Sequence, residues 1–322
     1  MNTHMKALQF DRTGTLDALA LRDVKIPTPA ADEVLVKIHA AGINPSDIKN
    51  VLGRFPYTTL PRIPGRDFAG VVIEGPSEWK NKSVWGSGKG LGFTRDGSHA
   101  EYMSVHVSAL SINPASLSFA QAASCGVPYI TALDALDRCH VKKDTQLLII
   151  GSGAVGSAAI AIARMRGAEL VVAVRKAPVQ SALQADGYKS FLLTDEASLA
   201  GEVKTFFPQG ADVIFDTTGA WLSAAVSALS INGSIAVIAA PVNGQVTFPI
   251  LDFYRRGGNL VGVNSLLHDV STCARMLDEL RHGFDNQSLP APVNIRECSL
   301  SDGRQVYADI DQGNTQKTVF VF

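Results

Sequence analysis

Short apolar runs that end at glycine or proline recur through the first 120 residues. Apolar and polar positions alternate along each run, and this period of two predicts strands with one buried face. The clearest runs are EVLVKIHAAG (Glu33 to Gly42), FAGVVIEG (Phe68 to Gly75) and HAEYMSVH (His99 to His106). We therefore predict a small, mostly antiparallel β domain in this part of the chain.

The pattern changes between about residue 120 and residue 266. Continuous apolar runs now alternate with alanine-rich stretches of helical period, and the runs are LLII, ELVVAVR, ADVIFD, SIAVIAA and NLVGVN. Short strands that are apolar on both faces, separated by helices, are typical of βαβ units in a parallel sheet. Because crossovers between parallel strands are right-handed, this region predicts a doubly wound Rossmann fold.

The tail begins with a helical stretch, VSTCARMLDELRHG, and ends with the strand-like KTVFVF. It is too small to fold alone, so we expect it to pack on the first region. The predicted fold class is α/β. Its domains are a discontinuous β domain of residues 1–120 and 267–322 and a Rossmann domain of residues 121–266.

Composition and charge narrow the function classes. The 322 residues include 29 basic and 30 acidic side chains, which gives a net charge of −1. Nucleic acids and anionic membranes favour a basic face, so neither is expected as a partner. No apolar run has the length of a membrane span. The start, MNTHMKALQF, lacks the apolar core of a signal peptide, and no CxxC pair occurs. We therefore expect a cytoplasmic protein with reduced thiols.

A glycine-rich turn follows the LLII strand and opens an alanine-rich helix. It matches the pattern GxGxxG with Gly151, Ser152, Gly153, Ala154, Val155 and Gly156. The first glycine makes the tight turn, the second lets the backbone approach a pyrophosphate, and the third lets the helix pack closely on the sheet. The N–H groups at the start of the helix then favour an anion. This turn predicts a dinucleotide site.

The end of the next strand indicates which dinucleotide is bound. NAD sites usually carry an acid there to hold the ribose 2′-hydroxyl. Here ELVVAV is followed by Arg175 and Lys176, with Arg175 lying 24 residues after Gly151. A guanidinium pairs bidentately with a 2′-phosphate, so we predict a preference for NADPH. The alternative is a solvated surface pair of cations.

Several segments together resemble one known family. They are AAGINPSDIKNVLGRFP (Ala40 to Pro56), LPRIPGRDFAGVVIEG (Leu60 to Gly75), GSHAEY (Gly97 to Tyr102), YITALDAL (Tyr129 to Leu136) and ADVIFDTTGA (Ala211 to Ala220). With the glycine turn, their order resembles the medium-chain dehydrogenase/reductase superfamily, in its zinc-independent, quinone oxidoreductase-like branch. The resemblance covers nearly the whole chain and implies a GroES-like β domain that carries a Rossmann domain.

The same resemblance bears on metal binding. Zinc-dependent relatives carry a cysteine where this chain has Asn44, and a histidine where it has Arg66. They also carry a cysteine-rich structural loop, whereas the first cysteine here is Cys125. Because a zinc site needs three or four protein ligands and a cation at a ligand position repels the metal, we predict no metal.

Without a Lewis acid, the acceptor must be easier to reduce than a simple carbonyl. The resemblance implies NADPH-dependent reduction of a small quinone or an α,β-unsaturated ketone or aldehyde. Two alternatives stay open, an enoyl-thioester reductase and a non-catalytic NADPH-binding protein. A homodimer is also open, because the run NLVGVN could extend a sheet across a two-fold axis.

Three residues are candidates for catalysis. Asn44 stands at the former metal-ligand position and either contacts the substrate or nicotinamide or caps the turn before Pro45. Asp47 either orients Asn44 or Lys49 or caps the helix that begins near Ser46. Tyr57 lies in a loop that borders the substrate cleft in the family, where it donates a hydrogen bond, stacks on a flat acceptor or is a surface tyrosine.

Two further residues are candidates for cofactor binding. Thr131 matches a threonine that approaches the nicotinamide in the family, or it bonds to its own helix backbone. Asn264 follows the last predicted strand of the sheet, where ligands of open α/β sheets lie, or it serves packing. Arg66 and Asp67 are expected to form either a buried ion pair that replaces the metal site or an exposed pair.

Overall fold

A computed structural model describes residues 3–241 and 243–322. Its contacts divide the chain into two compact units. The terminal unit comprises residues 1–130 and 265–322, and the central unit comprises residues 131–264. The terminal unit is therefore built from two separate stretches of sequence.

The strands and helices follow one another in this order: β1 (His4–Gln9), β2 (Ala20–Lys25), β3 (Glu33–Gly42), α1 (Pro45–Val51), β4 (Asp67–Glu74), β5 (Ser83–Gly86), β6 (Tyr102–His106), β7 (Ser111–Ile112), α2 (Phe119–Arg138), β8 (Gln146–Ile150), α3 (Ala154–Met165), β9 (Glu169–Val174), α4 (Ala177–Ala185), β10 (Lys189–Leu192), α5 (Leu199–Phe206), β11 (Ala211–Asp216), α6 (Leu222–Ala228), β12 (Leu229–Val237), α7 (Ile250–Arg255), β13 (Asn259–Gly262), α8 (Val270–Asp285), β14 (Arg296–Ser299), α9 (Gly303–Asp311) and β15 (Thr318–Val321). Within the described residues, no helix combines the length and the apolar character needed to cross a membrane.

The main sheet of the terminal unit has the order β14-β15-β3-β4-β5-β7, with β6 paired to β3. Neighbouring strands in this sheet are antiparallel, except for β14 and β15, which are parallel. Alternate residues of these strands, among them Val36, Ile38 and Phe68, are buried in a core that also takes up Phe320 from β15. Burial of such side chains stabilises the fold by about 1.5–3 kcal/mol each. The tail therefore completes the sheet that the first hundred residues begin.

The sheet of the central unit has the order β10-β9-β8-β11-β12-β13, and every neighbouring pair is parallel. Strand β8 lies between β9 and β11, so the chain order reverses beside it. This is the doubly wound order, and it confirms the predicted α/β class. Strand β10, with the sequence KSFL, is an edge strand that the apolar pattern does not single out.

A histidine is buried between the strands and the tail of the terminal unit. The Nε2 of His99 lies 3.2 Å from the carbonyl oxygen of Gly42, which can only accept, so Nε2 carries the proton. The other ring nitrogen therefore accepts from the Tyr307 hydroxyl at 2.8 Å. Burial lowers the pKa of His99 to about 4, so the ring is neutral at physiological pH.

Candidate active site

The glycine turn of the central unit has the shape that the sequence predicts. Gly151 adopts φ +94°, a conformation that strains other residues. A Cβ at Gly156 would lie 2.2 Å from the carbonyl oxygen of Gly151, so only glycine lets α3 approach this closely. A Cβ at Gly153 would meet no atom of the described residues within 4 Å. The backbone at Gly153 therefore faces open space that a ligand can enter.

Helix α3 begins at Ala154 directly after that open position. Its N-cap is Gly153, and no side chain in the described part of the chain caps its first N–H groups. The first turn of a helix leaves backbone N–H groups without helical partners, and the helix dipole is positive at this end. The turn from Gly151 to Gly156 therefore fits the pyrophosphate of a dinucleotide, with Ser152 and Val155 contributing backbone.

The strands of the central sheet end in register at one edge. Ile150 of β8 pairs with Asp216, Asp216 with Val237, and Val237 with Gly262. The loops that follow these strands therefore leave from the same edge as the glycine turn. Asn264 lies two residues beyond β13, and it is exposed. Open α/β sheets bind ligands at this edge, beside the reversal of strand order.

The two predicted cations follow strand β9 at that edge. The N–H of Gly151 donates to the carbonyl oxygen of Ala173 at 2.9 Å, so the end of β9 lies beside the turn. Arg175 and Lys176 follow at once, and both are exposed. Within residues 3–241 and 243–322, their side chains form no hydrogen bond or ion pair. Both cations are thus available to a ligand bound at the turn.

The loop that follows β11 lies beside the glycine turn. The sequence analysis did not identify the hydrogen bonds that hold this loop in place. The buried Asp216 carboxylate accepts from the N–H groups of Thr218, Gly219 and Trp221 at 2.8–3.0 Å. Thr217 donates its hydroxyl to the carbonyl oxygen of Ile150 at 2.7 Å. The sequence signal was an acid at a strand end, followed by two threonines and a glycine.

Thr131, the candidate for the nicotinamide contact, is buried in helix α2.

Asn44 lies at the start of α1 in the terminal unit, where it is the N-cap residue. Its Nδ2 donates to Asp67 at 2.8 Å, and its Oδ1 accepts from the Lys317 ammonium at 2.8 Å. The side chain is buried and bonded at both ends. Asn44 therefore joins an acid and a cation that lie far from it in sequence.

The buried Asp47 lies in the first turn of the same helix and caps its start. Its carboxylate accepts from the backbone N–H of Asn44 at 2.8 Å, which satisfies a donor at the helix start. Desolvation raises the pKa of Asp47 to about 7; the backbone hydrogen bond and the charges of Arg66 and Lys317 oppose this rise. The two candidates Asn44 and Asp47 are thus in direct contact.

Lys317 is a member of this cluster that sequence reasoning missed. Its ammonium also donates to the carbonyl oxygen of Ile43 at 3.0 Å and lies 3.9 Å from the Asp67 carboxylate. Burial lowers the pKa of Lys317, while Asp67 and Asp47 oppose this change. The sequence contains no signal for the contact, because 273 positions separate Lys317 from Asn44.

Tyr57 lies apart from this cluster on a loop and is 49% exposed. Its ring packs against Phe55 and Phe93, each with its centroid 5.8 Å away. The hydroxyl makes no hydrogen bond to any described residue. Desolvation raises the pKa of Tyr57, and the positive charge of Arg66 opposes that rise.

The expected ion pair between Arg66 and Asp67 does not form, so both versions of that expectation are wrong. Both residues are buried, but the Asp67 carboxylate faces Asn44 and Lys317, and it also accepts from the N–H of Val127 at 2.9 Å. The Arg66 guanidinium contacts Ser265 instead. Successive side chains of an extended segment point to opposite faces, which separates the two charges.

The residues at this position do not fit a zinc ion. A catalytic zinc site needs three ligands from cysteine, histidine or acids. In the described ranges, 3–241 and 243–322, no three such side chains are grouped to hold a metal. The Asn44 amide is committed to Asp67 and Lys317, and Arg66 is itself a cation.

Comparison with known proteins identifies the family. Residues 30–115 match the alcohol dehydrogenase GroES-like domain, and residues 154–280 match the zinc-binding dehydrogenase family. A zinc-type alcohol dehydrogenase-like protein of Schizosaccharomyces pombe is 39% identical over 308 residues, covering 92% of this chain and 91% of that protein. Human quinone oxidoreductase is 30% identical over 267 residues, covering 80% of each.

Two further similarities add to this. An NADPH-dependent alkenal/one oxidoreductase from Arabidopsis thaliana is 32% identical over 257 residues, covering 74% of this chain and 63% of the relative. The crystal structure of an alcohol dehydrogenase superfamily protein from Novosphingobium aromaticivorans matches 99% of both chains, with a TM-score of 0.87 and 27% identity.

The fold, the glycine turn and these matches define an oxidoreductase that binds a nicotinamide cofactor. The chain belongs to the medium-chain dehydrogenase/reductase family, in its quinone oxidoreductase-like branch. The resemblance drawn from the sequence is thereby confirmed, together with the GroES-like and Rossmann components that it implied.

Proposed function

We propose that this protein is a reductase that uses NADPH to reduce small quinones or α,β-unsaturated ketones and aldehydes, without zinc. The observation that carries the proposal is the pair Arg175 and Lys176 at the end of β9, beside the glycine turn, where NAD-binding relatives of this fold carry an acid. When bound, the reduced nicotinamide supplies a hydride.

The preference for the phosphorylated cofactor follows from charge. A guanidinium pairs with a phosphate through two parallel hydrogen bonds, and the exposed Arg175 has no competing partner among the described residues. A hydrogen bond to a charged group contributes about 1.5–3 kcal/mol, or about 10- to 150-fold in affinity. Lys176 adds a second positive charge. Asn264 and Thr131 are proposed to contact the nicotinamide end.

The choice of acceptor follows from the missing metal ligands. Zinc polarises an alcohol or a simple carbonyl, and the residues at its expected place do not fit it. A quinone or conjugated carbonyl accepts hydride at a carbon whose electrons move onto a distant oxygen. The protein then needs to position the acceptor, exclude water and stabilise the oxyanion. The names of the human and Arabidopsis relatives support this acceptor class.

We also propose that the protein forms a homodimer through strand β13. This strand is at the edge of the central sheet and bonds to β12 on one side. Apolar side chains on and near it are exposed, namely Ile231, Tyr254 and Leu260. A second copy that pairs along this edge would satisfy the free backbone groups and cover these side chains.

The test is a screen of NADPH oxidation over quinones, enones and enals, with NADH in parallel. We expect turnover with NADPH that survives a metal chelator. Arg175→Ala should lower the ratio of kcat/KM for NADPH to kcat/KM for NADH by about 10-fold or more. Lys204→Ala, which removes an exposed cation from α5, is the matched control and should leave the ratio unchanged.

The outcomes separate the alternatives. An unchanged cofactor ratio in Arg175→Ala would refute the cofactor assignment, and activity lost to the chelator would refute the metal-free mechanism. Turnover of enoyl thioesters but not of the free enones would favour the thioester reductase. No turnover with any acceptor, despite tight NADPH binding, would favour a non-catalytic protein.

A further inference from the structure

The guanidinium of Arg66 is buried, and no residue that the structure describes supplies it with a counter-anion. The side chain is 1% exposed. One terminal nitrogen lies 3.1 Å from the carbonyl oxygen of Ser265, and the other lies 3.4 Å from its hydroxyl oxygen. Among residues 3–241 and 243–322, the Nε has no hydrogen-bond partner. Within the described residues, no carboxylate oxygen lies within 4 Å of an Arg66 guanidinium nitrogen, which is the distance limit for an ion pair.

The nearby acids are committed elsewhere. Asp67 accepts from Asn44 and Val127 and faces the Lys317 ammonium. Asp47 accepts from the backbone of Asn44. An arginine presents five N–H donors, and two contacts to one serine leave at least the Nε donor unused. A buried cation without a counter-anion is strongly unfavourable, so an anionic oxygen that accepts from the unused donor would stabilise Arg66.

We propose, on the basis of the reductase function above, that Arg66 binds the acceptor oxygen and stabilises the oxyanion formed during reduction. This gives a guanidinium the role that a zinc ion has in metal-dependent relatives. In the balanced reaction, the acceptor gains a hydride at carbon, the double-bond electrons move to the oxygen, and a proton from solvent completes the product as NADPH becomes NADP⁺. The negative charge therefore develops on the atom that needs a donor.

The surroundings of Arg66 suit this role. The side chain is 1% exposed, so little water reaches its charge, and a medium of low polarity strengthens the interaction of that charge with an anion. The half-exposed ring of Tyr57 offers a flat aromatic surface for a planar acceptor. The positive charge of Arg66 acts to lower the pKa of the Tyr57 hydroxyl.

The first experiment removes the positive charge of Arg66 and keeps a side chain of similar volume. Arg66→Met should lower kcat/KM for the acceptor about 100-fold, as loss of one oxyanion donor does, and leave the Kd for NADPH unchanged. Arg66→Lys keeps the charge without the planar fork and should lose about 10-fold. Arg296→Met, which removes an arginine paired with Asp309 on the same unit, is the control and should remain fully active.

A second experiment measures the oxyanion interaction without catalysis. The probe is 4-nitrophenol, a planar phenol whose ionisation changes its colour, titrated in the presence of NADP⁺. If Arg66 stabilises an anionic oxygen, the pKa of the bound phenol should fall by about one unit in the wild type, a tenfold shift in ionisation. Arg66→Met should abolish this shift, and Arg296→Met should keep it.

Two results would overturn the proposal. One is an Arg66→Met variant within about 3-fold of wild-type activity, and the other is a phenol that titrates at its solution value on the wild type. The second result decides the question even if Arg66→Met fails to fold. If the wild type reduced no quinone or enone, the proposed function would fail, and the phenol titration would still report separately on Arg66.

Discussion

Replacing Asp47 with asparagine is expected to flatten the pH dependence of stability between pH 5 and pH 8. The Asp47 carboxyl is buried, and desolvation raises its pKa from the ordinary 3.8 to about 7. An acid whose pKa is higher in the fold than in the unfolded chain takes up a proton on folding between these values. The stability that it contributes is complete below pH 4 and is lost as the pH rises through 7.

The magnitude follows from the two pKa values. One pKa unit corresponds to about 1.36 kcal/mol, so linkage gives a loss of about 3 kcal/mol in the free energy of unfolding between pH 5 and pH 8. An asparagine does not titrate, and its Oδ1 can still accept the hydrogen bond from the N–H of Asn44. We therefore expect Asp47→Asn to match the wild type within about 1 kcal/mol at pH 5 and to be more stable at pH 8.

The assay is urea unfolding at pH 5, 6, 7 and 8, followed by tryptophan fluorescence. A Trp221→Phe background leaves only Trp79 and Trp85, so that the emission reports on the terminal unit. Glu297→Gln, an exposed residue of the same unit, is the control. If the difference between Asp47→Asn and its parent changed by less than about 1 kcal/mol across this range, the reasoning about a desolvated Asp47 would be wrong.

Further predictions concern the turn, the buried histidine and the sheet edge. Gly153→Ala should keep the wild-type Tm but weaken NADPH binding in a fluorescence titration. Gly156→Ala should destabilise the fold by about 1–3 kcal/mol, because its Cβ meets a carbonyl oxygen. Equal Tm values for the two variants would contradict this difference. Tyr307→Phe leaves a nitrogen of His99 without its donor and should cost about 1–3 kcal/mol in urea unfolding, so an unchanged midpoint would argue against the hydrogen bond. Leu260→Lys should halve the mass measured by light scattering, and a wild type that is already monomeric would refute the dimer.

The parts of the fold that could be predicted from sequence are those with local signals. The glycine turn, the strands β8 and β11 and the helix α8 are each marked by continuous patterns of apolar residues and glycines. The run HAEYMSVH was predicted too long, because His99 and Ala100 make only single contacts to β1 and the ladder with β3 begins at Tyr102.

The candidate site was predictable only in part, for a physical reason. Asn44 and Asp47 are three residues apart on one helix start, so the sequence could relate them. The partners that fix the Asn44 side chain are Asp67, at the start of β4, and Lys317, directly before β15. No local pattern in the sequence records such contacts. Arg66 and Asp67 were expected to pair because they are adjacent, but adjacency in an extended segment separates side chains. Placement of Thr131 and Asn264 at the nicotinamide stays a prediction.

Strand β15 also has a consequence for how the protein is made. It lies between β14 and β3. On that side of β3, β6 pairs with residues 33–37, but residues 40–42 have no strand partner until residues 319–321 of β15 leave the ribosome. At roughly 5–20 residues per second, translation from residue 42 to residue 318 takes about 14–55 s. The central unit, residues 131–264, is continuous and can complete itself in that interval. A nascent chain stalled before residue 318 should therefore contain a protease-resistant central unit beside a terminal unit that proteases still cut.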